Sequence, residues 1–269
     1  MATSADEVTS PPSLGDGELV VLGRHPLASN VVLVAEVRAP GVAPVTVAYK
    51  PVDGERELWD FPDGTLAARE VAAWHIDDLG GFGLVPETVW RDGPVGPGSV
   101  QRWIGEASSL CPSPVTVTPP DDVPAGHLVV VEGEDAGGAP LVLSHPDDPR
   151  LRSMAVLDAV LNNSDRKGGH ILEHDGRLWG IDHGVGLHAD PKLRTVLWGW
   201  AGEPIPAADV ERLHRLTEAL DEPEVRAELG LLLTPLEVDA LRERVEDLLA
   251  TGTHPGPTHG WPSIPWPPL

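Results

Sequence analysis

Near residue 150 the hydrophobic pattern of this chain changes period, and that change constrains its architecture more than any other feature. Before it, the runs ELVVLGR (18–24), NVVLVAEVR (30–38) and PVTVAYK (44–50) are short and β-branched, which predicts three antiparallel strands ending on Lys50. TLAAREVAAWHIDDLGG (65–81) interrupts them with Ala67, Val71 and Trp74 at helical spacing and a glycine stop. LVPETVWR (84–91) and GSVQRWI (98–104) return to strand character across a Gly/Pro turn. After residue 150 the pattern is helical. RLRSMAVLDAVL (150–161) is apolar nearly all round, as a buried helix is. PAADVERLHRLTEAL (206–220) and EPEVRAELGLLL (222–233) follow. TPLEVDALRERVEDLLATG (234–252) carries a full capping signature, with Thr234, Pro235, Glu237 and Gly252 in the N-cap, N1, N3 and terminal positions.

This reading predicts an α+β fold with two lobes. Residues 1–16 are expected to be a disordered leader and 17–104 a β-rich lobe with one helix. Residues 105–150 are expected to be a loop-rich connection holding one apolar run, GHLVVVEGE, and 151–250 a mainly helical lobe. Residues 251–269 form a Pro/Trp tail, read as a strap on the surface because Trp261 and Trp266 in a proline frame pack well on apolar surface.

The chemistry concentrates where the period changes. LNNSDRKGGHILEHDGRLWGIDHGVGLH (161–188) holds two of the chain's three asparagines and one of its three lysines. Only Lys50, Lys167 and Lys192 are lysine among 19 basic residues, so each suggests a site that needs a compact ammonium rather than a planar guanidinium. Asp175-Gly176 is a type I′ turn signal. With those two residues as the loop, His170 faces Ile181 and Gly169 faces Asp182, so Asp165, Lys167, His170 and Asp182 converge at the open end of a hairpin. Phosphoryl transfer needs such a set: an acid for the nucleophile's proton, a cation on the transferring phosphate, and oxygen ligands for a divalent metal.

These residues resemble the catalytic loop of the phosphatidylinositol 3- and 4-kinase superfamily, nearest to the type II phosphatidylinositol 4-kinases. NNSDRKGGH and GIDHGVGLH stand where that family has N-[ST]-D-R-G-x-x-N and I-D-N-G. YKP (49–51), LVPET (84–88), SVQRWIGE (99–106) and LRTVLWGWAGEPIP (193–206) resemble further family segments, and a family carried by actinobacterial chromosomes shares this core. The resemblance implies a bilobal protein-kinase-like fold that uses ATP with Mg²⁺ or Mn²⁺. It makes Asp165 the catalytic acid and Lys167 its companion, and Asp182 with His170 the metal ligands. Lys50 becomes the phosphate lysine, paired with Glu70 rather than with Glu55 or Glu57. Ser29 would cover the phosphates, and Gln101, Trp103 and Ile104 would lie along adenine. His170 departs from the family, which has Asn there, and imidazole suits Mn²⁺ or Zn²⁺ better than Mg²⁺. No glycine-rich loop follows the first strand, and the type II enzymes' cysteine-rich lipidation segment is missing.

Two other readings use the same residues. Because of His170, the chain reads as a nucleotide-binding pseudokinase with a regulatory role. Alternatively His170, His174, His183 and His188 serve zinc in a metal-dependent hydrolase, although no H-E-x-x-H occurs.

Composition sets the partners. A net charge of -23 argues against nucleic acid and against a surface held on anionic lipid. Cys111 alone excludes an internal disulfide, no apolar run is long enough for a bilayer, and the first residues do not read as a signal peptide. The expectation is a cytoplasmic phosphotransferase, without a stable membrane anchor, acting on a soluble protein or small-molecule acceptor.

Overall fold

A computed structural model of the chain describes residues 13–25, 30–62, 65–106, 112–258 and 262–269. Its N-terminal part is a five-stranded antiparallel sheet: β1 (Glu18–Arg24), β2 (Leu33–Arg38), β3 (Val45–Pro51), β4 (Thr88–Gly93) and β5 (Gly96–Arg102), in the order β1-β2-β3-β5-β4. The two-residue repeat of β3 decides what faces where. Val47 and Tyr49 enter a small core with Leu19, Ala35, Val37 and Val100, so Lys50 leaves from the opposite face.

Helix α1 (Leu66–Gly80) is inserted between β3 and β4. Thr65 caps its start by accepting from Ala68 N, and Gly81 ends it in the left-handed region at φ 70°. The Glu55 carboxylate accepts from the amides of Leu66 and Ala67, where the helix dipole favours an anion. Glu55 is thereby occupied away from Lys50. Ala72, Ala73 and Ile76 of α1 belong to the larger core of the C-terminal part.

Two sequence expectations need correction. The stretch expected to be loop-rich holds a three-stranded antiparallel sheet, β6 (Thr116–Thr118), β7 (His127–Glu134) and β8 (Pro140–Pro146), in the order β6-β8-β7. Only its central strand is well buried, so the outer strands lack a clear hydrophobic alternation. The leader also ends earlier than expected. Leu14 is fully buried in the small core and its carbonyl accepts from Arg91, while residues 1–12 lie outside the described set.

The C-terminal part is mainly helical. Helix α2 (Pro149–Leu161) is followed by a hairpin of β9 (Ile171–His174) and β10 (Arg177–Gly180), then α3 (Ala207–Asp221), α4 (Pro223–Leu229) and α5 (Pro235–Thr251). The hairpin has the register expected from its turn, with Gly180 opposite Ile171, and both Asp175 and Gly176 have positive φ. The capping box of α5 is formed on both sides by Thr234 and Glu237.

The tail is held by backbone bonds and by Ile264, which packs against the larger core. Ser263 O accepts from Thr195 N and from the Trp198 indole, and Pro268 O accepts from Gly168 N. Trp266 is 82% exposed, so it does not fasten the strap, and Trp261 lies outside the described residues.

Candidate active site

The loop after α2 is built on a buried ion pair. Asp158 of α2 and Arg166 are both solvent-inaccessible, and Arg166 reaches the carboxylate through Nε at 3.0 Å and Nη2 at 2.8 Å. Its Nη1 donates to the carbonyls of His170 and Ile181, which ties the two sides of the hairpin's open end together. Two asparagines complete the frame. Asn162 ends α2 at φ 48°, donates to His188 O and Asp190 O, and accepts from Lys192 N. Asn163 donates to Asp158 and accepts from Asp165 N. Buried polar groups are costly unless satisfied, so this lattice fixes the loop rather than merely decorating it.

On that frame Asp165 is presented with one oxygen 2.9 Å from Lys167 Nζ and the other 3.3 Å from Arg194 Nη2. Asp182 sits at φ 64°, a left-handed conformation that a non-glycine residue adopts at some cost. One of its oxygens lies 3.0 Å from Lys50 Nζ and the other 3.4 Å from His170 Nε2. Lys50 Nζ also bonds to Glu70, which is almost fully buried on α1. Burial opposes the charge of Lys50, but Asp182 and Glu70 outweigh it and hold the ammonium above its ordinary range. Lys50 in turn holds Asp182 below the usual carboxylate range. Burial pushes Glu70 upward against the pull of Lys50.

His170 has a defined tautomer. Its Nδ1 lies 3.0 Å from the carbonyl of Asp165, which can only accept, so Nδ1 carries the proton. Burial lowers the pKa of the ring and keeps it neutral, leaving the Nε2 lone pair facing the Asp182 carboxylate. Two acceptors facing each other at 3.4 Å are a poor pair unless a cation lies between them.

The other histidines do not converge. His174 lies beside Asp175, His183 Nε2 accepts from Arg166, and His188 packs against Phe61. Among the described residues no group of three or more His, Cys, Asp or Glu is placed to hold a metal, so the hydrolase reading loses its ligand set.

The sequence expectation for adenine fares unevenly. Gln101 is buried in β5 between β3 and β4, and its amide donates to Thr88, so neither side chain nor backbone is free for a ligand. That is a correction: the strand's central place in the sheet consumes the residue. Trp103 follows the strand's end, donates its N–H to Thr46 O, and sets its ring against His25, with Ile104 beside it. Ser29 lies outside the described residues. A cavity of about 780 Å³ opens elsewhere, between α5 and residues 189–202, and contains none of these groups. Convergent charge, not cavity size, locates the site.

Sequence reasoning passed over Asp158, Arg166 and Arg194. An acid on an apolar helix is a signal for a buried ion pair, but nothing in the spacing ties Arg194 to Asp165.

Buried histidines away from the site set an expected pH dependence. Burial lowers His145, and it lowers His254 to about 4, where His254 Nε2 faces Arg152 Nε at 3.3 Å. The unfolded chain protonates histidine near pH 6.5, so between that value and about 4 it binds more protons than the fold at His254, and stability falls with pH. Asp77, pushed up to about 6 by burial, has the opposite sign below that pH. The melting temperature should therefore drop between pH 7 and pH 6, where Asp77, protonated in the fold only as the pH nears about 6, offsets part of the histidine effect. His254→Gln should flatten that slope, and an unaltered slope would remove His254 as its source.

No protein-family model matches the chain. Among solved structures, hydra Fam20 with sugar aligns at a TM-score of 0.50 and 13% identity, covering 88% of this chain and 85% of that one. A Helicobacter pylori proinflammatory kinase, CtkA, aligns at 0.47 and 11%, covering 89% and 93%. The sheet-rich N-terminal part and mainly helical C-terminal part make a kinase-like fold. Protein Rv2133c of Mycobacterium tuberculosis (strain ATCC 25618 / H37Rv) is 47% identical over 262 residues, 94% of this chain and 93% of that protein. At that identity over nearly the whole of both chains, this protein belongs to the family of Rv2133c.

Proposed function

We propose that the protein is an ATP-dependent phosphotransferase of the phosphatidylinositol 3-/4-kinase-like superfamily, acting on a soluble acceptor, protein or small molecule, in the cytoplasm. The observation that carries this reading is the position of the Lys50 ammonium. It bridges Glu70 on α1 and Asp182, 132 residues away, beside the loop of Asp165 and His170. A nucleotide's phosphates entering there would meet Lys50 in place of Asp182, while Trp103 and Ile104 border the connection that would receive adenine. Asp165 orients the acceptor hydroxyl and takes its proton, and Lys167 is the companion cation on the transferring phosphate. Asp182 and His170 would hold a divalent cation, Mn²⁺ or Mg²⁺, which when bound neutralises charge on the phosphates. The facing acceptors of those two side chains fit such an ion. A soluble acceptor follows from the charge of -23, and among the described residues no helix is long and apolar enough to cross a membrane.

A thermal-shift screen of nucleotides crossed with Mg²⁺, Mn²⁺ and Zn²⁺ tests this reading. ATP with metal at a hundred times its Kd should stabilise the protein by about 2.7 kcal/mol. Lys50→Ala should weaken that shift, and an unchanged shift would count decisively against the assignment. His170, in the position of a metal-ligating Asn, favours a second reading in which nucleotide is bound but not transferred.

A further inference from the structure

We propose that the cavity between α5 and residues 189–202 is a binding site for a compact apolar molecule carrying an ammonium group, separate from the Lys50–Asp182 cluster. The inference does not depend on the phosphotransferase reading. At about 780 Å³ the cavity has the size of a small-molecule site. Its walls are largely apolar: Ala159 of α2, Leu193, Trp198, Ala240 and Leu248 of α5, and Pro255. Ala159 and Ala240 leave room that a longer side chain from either helix would fill.

Charge says what kind of molecule fits. Glu243 and Asp247 line the same cavity, four residues apart on α5 and therefore on one face of the helix. Two like charges at that spacing repel, and the C-terminal end of a helix disfavours anions. The last turn of α5 has no basic residue to relieve them. Arg242, beside Glu243, pairs with Asp221 and Glu246 instead. Arg244 stands on the wall, but its Nε and Nη1 donate to the carbonyls of Val160 and His188. His254, also on the wall, is lowered by burial to about 4 and stays neutral. The two carboxylates are thus left without an ion-pair partner among the described residues. An ammonium between them relieves the repulsion, and the Trp198 indole supplies an aromatic wall that favours a cation over an anion.

The cavity lies behind the catalytic loop rather than in it. Asn162 forms part of its wall, and that side chain is spent on His188 O, Asp190 O and Lys192 N. Lys50, Asp165 and Asp182 do not line it. A molecule bound here touches the residue that starts the loop without entering the charged cluster, so nucleotide need not displace it.

The test uses the full chain and titration calorimetry with matched probes. Tryptamine and indole-3-propionate share a ring system and differ in charge, and spermidine has charge without an apolar body. Tryptamine should bind about tenfold more tightly than either, the combined effect of ion pairing and an aromatic wall. Glu243→Gln with Asp247→Asn should erase the preference over indole-3-propionate, although the chain holds 42 acidic residues in all. Ala240→Trp, which fills the cavity and leaves both carboxylates, should abolish tryptamine binding, with an unchanged or higher Tm showing that the fold is intact. Ala201→Trp, at an exposed position on another wall, makes the same test should Ala240→Trp fail to fold. Binding should persist in saturating ATP with Mn²⁺. Equal affinity for tryptamine and indole-3-propionate overturns the proposal, as does no binding by either at millimolar concentration. Spermidine binding as tightly as tryptamine, a preference that survives the carboxylate variant, binding untouched by the cavity-filling variants, or displacement by ATP overturns it equally.

Discussion

Asp165→Asn is expected to lower phosphate transfer on the order of 10²–10⁴-fold, the usual span for losing a positioned acid or base, while nucleotide affinity is retained. The asymmetry follows from placement. Asp165 pairs with Lys167 and Arg194, whereas Lys50 pairs with Glu70 and Asp182; on the proposed reading the first set serves the acceptor and the second the nucleotide. Asparagine keeps the shape and the bond from Asp165 N to Asn163, so the loop need not move. Labelled ATP would be offered to cell lysate and to phosphoinositide vesicles, with the variant as control. Label in lipid but not in soluble material would refute the soluble acceptor. Nucleotide binding without transfer by the wild-type protein would favour the pseudokinase reading.

The second large effect is on stability. Arg166→Leu should destabilise the fold by about 3–5 kcal/mol, because it leaves the Asp158 carboxylate buried without its partner. It would also strip the donors from His170 O and Ile181 O. Replacing both partners, Asp158→Leu with Arg166→Leu, removes the stranded charge and should recover much of the loss. Denaturant unfolding of the two single variants and the double variant gives the cycle. Additive losses would show that the pair is not coupled.

The lobes were legible because strand and helix periods differ, and each core-facing run obeyed one of them. The hairpin was legible because Asp175-Gly176 admits few turn geometries, and the α5 cap because its residues are specific in type and order. The small sheet of residues 116–146 was not, since its outer strands face solvent and carry little alternation. Of the expected site residues, the structure brings Lys50, Glu70, Asp165, Lys167, His170 and Asp182 into one neighbourhood, through side-chain pairs printed on the sequence only as scattered charges. Gln101 was misjudged because a strand's sequence does not say whether it lies at an edge or in the middle of a sheet. Lys192 had no assigned role, and the structure gives it one: it is buried against Asp60 and the rings of Trp59 and Phe61.

Helix α1 has its feet in the wrong lobe for a moving part. Arg69, adjacent to Glu70, is buried, donates to Gly186 O, and pairs with Glu237 of α5 at 2.5 Å. Ala72, Ala73 and Ile76 share the core of the helical lobe. A helix riveted in this way cannot swing out to break the Lys50–Glu70 pair without exposing that core and stranding two buried charges. On the proposed phosphotransferase reading, the Lys50–Glu70 pair is therefore a fixed part of the site, as with a valve whose handle has been welded open.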